Sequence, residues 1–524
     1  MKRRTMLAAT AAAAMGTPAI AQPVRVLRFI PQADLSTLDP HWNTAYVTRN
    51  HGYMVFDTLY GLDSGFRATP QMVAGHVVED GGLRWVLTLR EGLVWHDGVP
   101  VLARDCVASI KRWGSRDVFG QALLAATDEV LAEGDRRIVF RLKRMFPLLP
   151  DALAKSGVFM PAMMPERLAK TDAMTQVTEM VGSGPFRFKA DERVPGARAV
   201  YERFAGYVPG PGVADRTSGG KVVYLDRVEW TTVPDPATAA AALQRGETDW
   251  WDFASADLLP LLRRNSGIKT EVQDPAGAMA VMRMNHLQPP FDNPAIRRAV
   301  LGAVVQADFL TSFMGDDRSL WRDGAGVFTP GTPLANDAGM GVLTGARDME
   351  RSRKAIVDAG YKGEKVALIV PTDFPNLKAM SDVGADLFKR LGLNVDYVAT
   401  DWGTLLTRRG KKDPVDQGGW SAFFTFSAGV DNATPAGNQL LRTNGANAWF
   451  GWPSDAGIEA LRDAWFGAPD LAAQQGLAAR LQERAFEVVP YVPLGQYFQA
   501  TAYRTRLRDV LTGFSIFWNV KKEG

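Results

Sequence analysis

Residues 279–306 read MAVMRMNHLQPPFDNPAIRRAVLGAVVQ, and this stretch decides how the chain is organised. Residues 279–285 are apolar at almost every position, which is typical of a strand covered on both faces. Asn293 is a favoured residue before a helix, and Pro294 suits the first helical position, where no N–H is needed. An apolar stripe follows at helical spacing: Ile296, Ala299, Val300, Ala303 and Val304. We therefore predict a buried strand and an amphipathic helix that begin a second body of structure.

The length and composition of the chain limit the classes of protein to which it can belong. It has 524 residues, of which 46% are hydrophobic and 22% are charged. A chain of this length is too long to fold around a single small hydrophobic core, which predicts two or three domains or lobes. The composition is that of an ordinary soluble globular protein, which argues against disorder and against a coiled coil.

The first 21 residues have the pattern of an export signal. A Lys-Arg-Arg segment at residues 2–4 precedes a short alanine-rich run that is too short to span a bilayer. An A-x-A site at residues 19–21 predicts cleavage after Ala21. The paired arginines resemble a twin-arginine signal, and an ordinary Sec signal with two arginines is the alternative. Either route predicts an exported protein.

The charge balance and the single cysteine narrow the class further. The chain has 60 basic and 57 acidic residues, and removal of residues 1–21 takes three basic residues and no acidic one. The mature chain is therefore neutral, and its charge gives no reason to expect nucleic-acid binding. Cys106 is the one cysteine, which we expect to be a buried, inert thiol. A soluble, exported and disulfide-free protein of this size indicates a bacterial periplasm.

The sequence contains no recognisable catalytic or metal-binding motif. Its five histidines show no metal-ligand spacing, and there is no cysteine cluster. The segment 182–184 lacks the third glycine of a phosphate loop, and Pro185 follows it. No G-x-S-x-G nucleophile elbow is present. We predict no catalytic residue, no metal and no cofactor, and hence a binding protein.

Aromatic residues are abundant, with 14 Trp, 26 Phe and 11 Tyr. Several tryptophans lie within two residues of Gly, Pro or Asn, where chains turn: Trp42, Trp402, Trp420, Trp449 and Trp452. Large rigid rings at loop ends suit the walls of a ligand cleft. Any one of them is more often a core residue. As a set they favour a binding cleft over a catalytic pocket.

The second half of the chain has the pattern of an α/β unit. Residues 365–370 and 394–398 are predicted strands that bracket a helix at 376–391, which implies a parallel pair. An aromatic strand is predicted at 418–426. Residues 491–498 form the last clear strand, which must return to the first body.

Four segments together carry a resemblance to a known family. They are VFDTLYGLDSGFRATPQMVAGHVV (55–78), LTLREGLVWHDGVPVLARDCVASIKRW (87–113), VGSGPFRF (181–188) and LQPPFDNPAIRRAVLGAVVQADF (287–309). Their order resembles the peptide/nickel/oligopeptide class of ABC-transporter solute-binding proteins, often called family 5. Each motif alone is weak, but their combination is specific and covers essentially the whole mature chain.

The resemblance implies an α/β, two-lobed periplasmic-binding-protein-like fold of type II, with an extra subdomain in lobe I. Lobe I would comprise 24–60, 190–275 and 490–524, the extra subdomain 61–189, and lobe II 276–489. Two crossings would join the lobes, near 274–278 and near 490–493. Closure of the lobes about these hinges would enclose a ligand.

The resemblance also implies a function. The protein would capture a small molecule or short peptide, or another amine-bearing solute, and deliver it transiently to an ABC permease in the inner membrane. We expect a monomer that binds no nucleic acid. A sensing or chaperone-like binding protein of the same fold, without a transport role, is the alternative. A secreted hydrolase is a third reading, and it would need catalytic groups that the sequence does not reveal.

Ligand specificity depends on one acid. Peptide-binding members of the family tend to carry an acid three residues after a Gly-Trp pair, where it binds the ligand's amino group. Here Phe423 occupies that spacing after Trp420, and the nearest acid is Asp431. Either the loop is longer and Asp431 takes this role, or the ligand has no such amine; we favour the first. Lobe II has His286 as its only histidine, which argues against a nickel complex. The predicted ligand-binding residues are Asn43, Tyr46, Phe159, Trp402, Trp420, Phe423, Asp431, Trp449 and Tyr497.

Overall fold

The computed structural model describes residues 24–523, so the predicted export signal at 1–21 lies outside the described residues. The strands run in chain order as β1 Val26–Ile30, β2 Tyr60–Leu62, β3 Ala68–Pro70, β4 Val73–Glu79, β5 Arg84–Leu89, β6 Thr127–Glu133, β7 Arg137–Leu142, β8 Phe186–Phe188, β9 Arg198–Arg203, β10 Arg227–Thr231, β11 Trp250–Trp251, β12 Ile268–Val272, β13 Ala278–Met284, β14 Trp321–Arg322, β15 Lys365–Pro371, β16 Asn394–Thr400, β17 Ala422–Ala428, β18 Val492–Tyr497, β19 Ala500–Arg504, β20 Leu507–Arg508 and β21 Lys521–Lys522.

The α-helices alternate with these strands. In chain order they are α1 Tyr46–Val55, α2 Ala103–Arg116, α3 Val118–Ala126, α4 Leu149–Leu153, α5 Glu166–Ala169, α6 Pro236–Arg245, α7 Leu259–Arg263, α8 Pro294–Ala303, α9 Gln306–Met314, α10 Gly341–Thr344, α11 Met349–Asp358, α12 Pro375–Arg390, α13 Trp402–Arg408, α14 Ala456–Phe466 and α15 Leu471–Val488. The mixture of helices and sheets agrees with the predicted α/β class.

The stretch at 279–306 folds as predicted. Strand β13 is buried at every position and pairs antiparallel with β17 on one side and β18 on the other. The Asn293 side chain accepts a hydrogen bond from the Ala295 N–H, and Pro294 opens helix α8. The strand is apolar at every position except Arg283 because its sheet is covered on both faces.

Three larger sheets organise the molecule. A seven-stranded sheet has the order β12-β19-β11-β1-β10-β9-β8, and a six-stranded sheet has the order β14-β18-β13-β17-β15-β16. A four-stranded sheet, β4-β5-β7-β6, is formed by the segment between the first strands of lobe I and strand β8. We use lobe I for the body around the seven-stranded sheet and lobe II for the body around the six-stranded sheet.

The chain crosses between the two larger sheets twice. The first crossing, at 273–277, lies where the sequence predicts it, between β12 and β13. The second was predicted near 490–493, but β18 remains in the lobe II sheet, so the crossing is at 498–499. The crossings run side by side: Gly277 has a positive φ of 55°, and a Cβ there would lie 2.3 Å from the Tyr497 carbonyl oxygen. Only glycine permits this close approach.

The parallel unit predicted in lobe II is present. Strands β15 and β16 pair in parallel along seven residues, and helix α12 connects them. Strand β17 pairs in parallel with β15, next to β13. Ligand sites in such sheets lie beyond the carboxyl ends of the strands. The carboxyl ends of β15 and β17 therefore point to the region where the candidate site lies.

Candidate ligand-binding site

A cavity of about 580 Å³ lies between the lobes. Its size falls within the range of small-molecule sites. Lobe I contributes the segments at 32–36 and 43–47 and Phe253, and the extra subdomain contributes Val158. Lobe II contributes the following residues: Phe374, Trp402, Leu406, Arg409, Thr425, Phe426, Ser427, Asp431, Gln439, Leu440 and Trp449. Both lobes are therefore needed to form the cavity.

The lobe I wall is set by the turn before helix α1. The Asn43 side-chain oxygen accepts a hydrogen bond from the Ala45 N–H at 3.0 Å, which fixes the entry into the helix. Tyr46, the first helical residue, then faces lobe II, and its ring centroid lies 6.2 Å from that of Phe426. This ring contact joins the lobes at the base of the cavity.

A row of aromatic rings forms one wall in lobe II. Phe374 precedes helix α12, and its ring lies 5.6 Å from Trp402 and 6.0 Å from Phe426. Asp401 caps helix α13 by accepting from the Thr404 N–H, and the N–H of Trp402 donates to Asp373 at 2.7 Å. These bonds fix the start of α13 and hold the Trp402 indole at the cavity.

A buried arginine of strand β13 holds the opposite wall. Arg283 is fully buried and donates to four carbonyl oxygens, including those of Leu440 at 3.0 Å and Trp449 at 3.0 Å. Both of these residues line the cavity. Burial lowers the pKa of Arg283 to about 9. The stretch that begins lobe II thus positions part of the candidate site directly.

Asp431 lies in the turn that follows strand β17. Its N–H donates to the Ala428 carbonyl at 3.0 Å, and its side chain is 6% exposed. Burial raises the pKa of Asp431 to about 6, while Lys155 and Arg49 act in the opposite direction. A buried carboxylate that faces a cavity is suited to receive a cationic group, because attraction between the opposite charges offsets part of the desolvation cost of each ion.

Gly157 of the extra subdomain packs against Asp431. A Cβ at position 157 would lie 1.7 Å from the Asp431 Oδ1 atom. Lys155, two residues earlier, forms an ion pair with Asp117, the capping residue of helix α3. The carboxylate is therefore enclosed by a segment of the extra subdomain.

Five of the nine predicted residues line the main cavity: Asn43, Tyr46, Trp402, Asp431 and Trp449. Tyr497 lies instead beside a smaller cavity of about 60 Å³ at the lobe crossings, which shares Tyr46 and Phe253 with the larger one. The structure thus brings together residues from widely separated parts of the chain.

Trp420, Phe423 and Phe159 line neither cavity. Trp420 and Phe423 are fully buried with Ile369, Leu405 and Trp452, because they lie near the start of β17, whereas the cavity lies at its end. The Trp420 indole N–H donates to the Arg409 carbonyl at 3.0 Å. Phe159 is half-buried, and its carbonyl accepts from the Trp113 indole at 2.7 Å. The prediction of a direct wall role for these residues is corrected to a supporting one.

Three prominent lobe II residues of the cavity were not predicted from the sequence: Phe374, Phe426 and Arg409. Phe374 could have been found, because it follows the carboxyl end of β15, where ligands of parallel sheets bind. Phe426 lies in the strand that was predicted to be aromatic. Arg409 has no local signal, since it is one of several basic residues at the end of helix α13.

Three further properties bear on function. Within residues 24–523, no group of three or more His, Cys, Asp or Glu side chains is placed to hold a metal ion. None of the helices in that same range is long and apolar enough to cross a membrane. The single thiol, Cys106, is buried.

Comparison with known proteins gives consistent matches. The family model for the middle region of bacterial extracellular solute-binding proteins, family 5, matches residues 67–448. The chain is 37% identical to the probable peptide ABC transporter periplasmic-binding protein y4tO of Sinorhizobium fredii, over 93% of this chain and 92% of that protein.

Solved structures share the fold at low sequence identity. The binding protein AgaA of A. tumefaciens R10, in complex with agropinic acid, has a TM-score of 0.79 at 18% identity, over 95% of this chain and 99% of that one. DppA of Helicobacter pylori, in complex with the peptide STSA, has a TM-score of 0.78 at 20% identity, over 95% and 98% of the two chains. The predicted two-lobed fold is confirmed.

Proposed function

This chain belongs to the bacterial extracellular solute-binding proteins of family 5, and we propose that it captures an amine-bearing small solute between its lobes and delivers it to an ABC importer. The observation that carries this proposal is the interlobe cavity of about 580 Å³, which is walled by aromatic rings and has Asp431 in its lining. The relatives named above support both the transport role and a peptide-like ligand.

Asp431 receives the ligand's ammonium group in this proposal. The position that carries an acid in peptide-binding relatives is Phe423 here, and it is buried in the core. Asp431, eight residues along the chain, reaches the cavity from the end of the same strand. Trp402, Trp449 and Tyr46 supply apolar surface around the ligand. Water excluded on closure strengthens the charged contact, because the local dielectric falls.

Binding is coupled to closure in this scheme. A ligand can favour the closed form only through its higher affinity for that form. We propose lobe I at 24–60, 190–275 and 498–524, the extra subdomain at 61–189 and lobe II at 276–497, with hinges at the two crossings; the boundary expected at 490 moves because β18 pairs within the lobe II sheet. The closed form then presents a surface that a permease in the inner membrane recognises transiently.

The remaining parts of the proposal follow from the family. The protein acts in the periplasm after cleavage of residues 1–21, functions as a monomer and catalyses no reaction on its ligand. Transport relatives support this reading over a sensing role. Uptake of the identified ligand by cells that lack the gene provides the test of transport: loss of uptake supports delivery, and unchanged uptake contradicts it.

A thermal-shift screen of the mature protein is the first experiment. The panel comprises amino acids, short peptides and opines, each tested beside its N-acetylated form. A ligand that binds only the folded protein raises the melting temperature by mass action. We expect stabilisation by free amines and not by their acetylated partners. Equal stabilisation by both forms would contradict the role of Asp431.

The variant Asp431→Asn sharpens this screen. It keeps the shape of the side chain and removes its charge, so the preference for the free amine should disappear. Asp34, which also lines the cavity and accepts from the Gly196 N–H at 3.1 Å, provides the matched control. We expect Asp34→Asn to keep the preference, and its loss in that variant would move the amine site to Asp34.

A further inference from the structure

Lobe II and the extra subdomain meet at a cluster of three phenylalanine rings, Phe119, Phe146 and Phe466, which line neither cavity. Phe466 is the last residue of helix α14 in lobe II. Its ring centroid lies 5.8 Å from that of Phe119 and 5.7 Å from that of Phe146, and the second pair is stacked with an interplanar angle of 19°. Both partners belong to the extra subdomain. The phenylalanine cluster is therefore an apolar contact between two bodies of the protein, separate from the ligand cavity.

The three rings of the phenylalanine cluster are almost completely covered. Phe146 is fully buried, Phe466 is 3% exposed and Phe119 is 6% exposed. Ala464 and Gly467, on either side of Phe466 along the chain, are exposed, so the end of helix α14 lies at the surface of lobe II. Separation of the lobes about the two crossings would take away the cover that the extra subdomain gives the Phe466 ring. Because removal of apolar surface from water is favourable, the cluster stabilises the closed form.

A polar pair lies on the same helix of the extra subdomain as Phe119. The Arg442 guanidinium of lobe II donates to the side-chain oxygen of Gln121 in helix α3 at 3.1 Å, and this bond is exposed to solvent. Exposed hydrogen bonds exchange with water and contribute little to stability. The rings of the phenylalanine cluster should therefore supply most of the stabilisation at this contact.

One segment of the extra subdomain supports both the phenylalanine cluster and part of the cavity wall. Asp117 caps helix α3 by accepting from the Phe119 N–H at 2.8 Å. The Lys155 ammonium pairs with Asp117 and donates to the Val158 carbonyl at 2.8 Å. Val158 lines the main cavity. Contact of Phe466 with Phe119 therefore also holds this part of the cavity wall against lobe II.

We propose that Phe466 sets the affinity for every ligand by stabilising the closed form, without contacting the ligand. This rests on the proposed function, because it requires that the lobes close on the ligand. The apparent dissociation constant is the intrinsic constant divided by the fraction of ligand-free protein that is closed. A substitution of Phe466 should therefore lower the closed fraction and weaken the binding of unrelated ligands by one common factor. A residue of the cavity wall changes the affinity of each ligand by a different factor.

The closed fraction can be measured without a ligand by cross-linking. Gln121→Cys/Arg442→Cys places two thiols where the side chains touch across the two bodies, and the native thiol of Cys106 is buried and does not compete. After a short bismaleimide has attached to one thiol, the rate of its second, intramolecular attachment is proportional to the closed fraction. Mass spectrometry distinguishes the two products. Adding Phe466→Ala should slow the second attachment about tenfold, or about 1.4 kcal/mol, which is part of the free energy of burying one ring.

Two further variants separate closure from folding. Phe466→Leu keeps much of the apolar volume and secures the fold, and it should slow the second attachment about threefold. Phe388→Leu is the matched control, because Phe388 is fully buried and its neighbouring ring, Phe291 at 5.6 Å, lies in the same lobe. We expect this control to lower the melting temperature and to leave both the cross-linking rate and the ligand affinity unchanged.

Calorimetry measures the second quantity. The probes are the peptide STSA, agropinic acid and the best ligand of the thermal-shift screen, which differ in chemistry. Phe466→Ala should weaken each probe that binds by the same factor of about ten by which it slows cross-linking, because both quantities follow the closed fraction. Agreement of the two factors supports the role of Phe466 in closure.

The design separates this inference from the proposed function. Equal binding of free and N-acetylated amines contradicts the role of Asp431 and leaves the cross-linking result standing, since that measurement uses no ligand. The inference on Phe466 is overturned if Phe466→Ala and Phe466→Leu cross-link at the rate of the parent cysteine pair, or if Phe388→Leu slows the reaction equally. It is also overturned if Phe466→Ala weakens the probes by different factors.

Discussion

Two groups of aromatic residues in lobe II have the same sequence signal and different roles. Trp402 and Trp449 lie beside the cavity, half-buried, whereas Trp420, Phe423 and Trp452 are packed beneath it with at most 5% exposure. The Trp420 indole is 5.0 Å from Phe423 and 6.0 Å from Trp452. A tryptophan next to a glycine or a proline thus marks a turn, and its position along the strand decides whether it faces a ligand or the core.

The largest loss of stability should come from a substitution in the buried group of aromatic residues, Trp420, Phe423 and Trp452. Trp420→Ala should lower the free energy of unfolding by about 3–5 kcal/mol, because it removes a fully buried ring and leaves a cavity. Chemical denaturation monitored by circular dichroism measures this change. Normal stability with weak ligand binding would break the comparison, since Trp420 would then act as part of the wall.

The wall from the extra subdomain provides the next test. In Gly157→Ala, the added methyl group would overlap the Asp431 carboxylate in the closed form, and overpacking of this kind costs about 1–3 kcal/mol. We expect weaker ligand binding and a more extended particle in X-ray scattering at saturating ligand. Gly476→Ala, at a helical glycine with open space around its Cβ position, is the control. If the affinity of Gly157→Ala for the ligand is unchanged, the enclosed carboxylate of Asp431 is not part of the binding site.

Trp402→Ala is the counterpart of Trp420→Ala. It should weaken ligand binding by about 1–2 kcal/mol, the scale of an aromatic anchor. Its effect on unfolding should stay near about 1 kcal/mol, because the ring is half-exposed and only packs against the edge of the core. Calorimetry and denaturation on the same samples separate the two quantities. A larger loss of stability than of binding would assign Trp402 to the core group.

Asp431 combines the two environments, because it is buried like Trp420 and lines the cavity like Trp402. Burial raises its pKa to about 6, so the carboxylate that would hold an ammonium ion is present above this pH and lost below it. Affinity for an amine-bearing ligand should fall about tenfold from pH 7 to pH 5. Asp431→Asn should remove this dependence. A wild-type affinity that is constant over this range would contradict the assignment.

The stability of the ligand-free protein should change with pH in the opposite direction to the ligand affinity. A carboxyl group whose pKa is raised on folding stabilises the folded state fully below its unfolded pKa, and this contribution is lost as the pH rises through about 6. The stability of the ligand-free protein, measured by denaturation, should therefore fall less steeply with pH in Asp431→Asn than in the wild type over this window. If stability falls equally steeply with pH in both proteins, a group other than Asp431 is responsible for the dependence.

The predictions from sequence succeeded where local patterns are strong. Asn293 and Pro294 start helix α8, and the βαβ unit at β15–α12–β16 lies within a few residues of its predicted bounds. They failed where two segments had to be brought together. The second crossing was placed too early because nothing in residues 490–493 shows that β18 pairs with β13.

The residues predicted for the candidate site also fall into two groups. Asn43, Tyr46, Trp402, Trp449 and Asp431 were predicted from residue type and from the resemblance, and these five line the cavity. Trp420 and Phe423 were predicted from the same reasoning and lie in the core. Arg409 was missed, because its place in the cavity wall is a property of its three-dimensional surroundings and not of neighbouring residues.

The sequence by itself determined the elements, the family and the type of residue that could meet a ligand. These depend on periodicity, helix caps and motif order, which involve residues close together along the chain. Only the tertiary structure decided which aromatic rings are walls, and which acids and which cation line the cavity. Burial and charge pairing depend on segments hundreds of residues apart, and the stretch at 279–306 shows both sides: its strand could be predicted from its own residues, but the contact of Arg283 with the cavity wall could not.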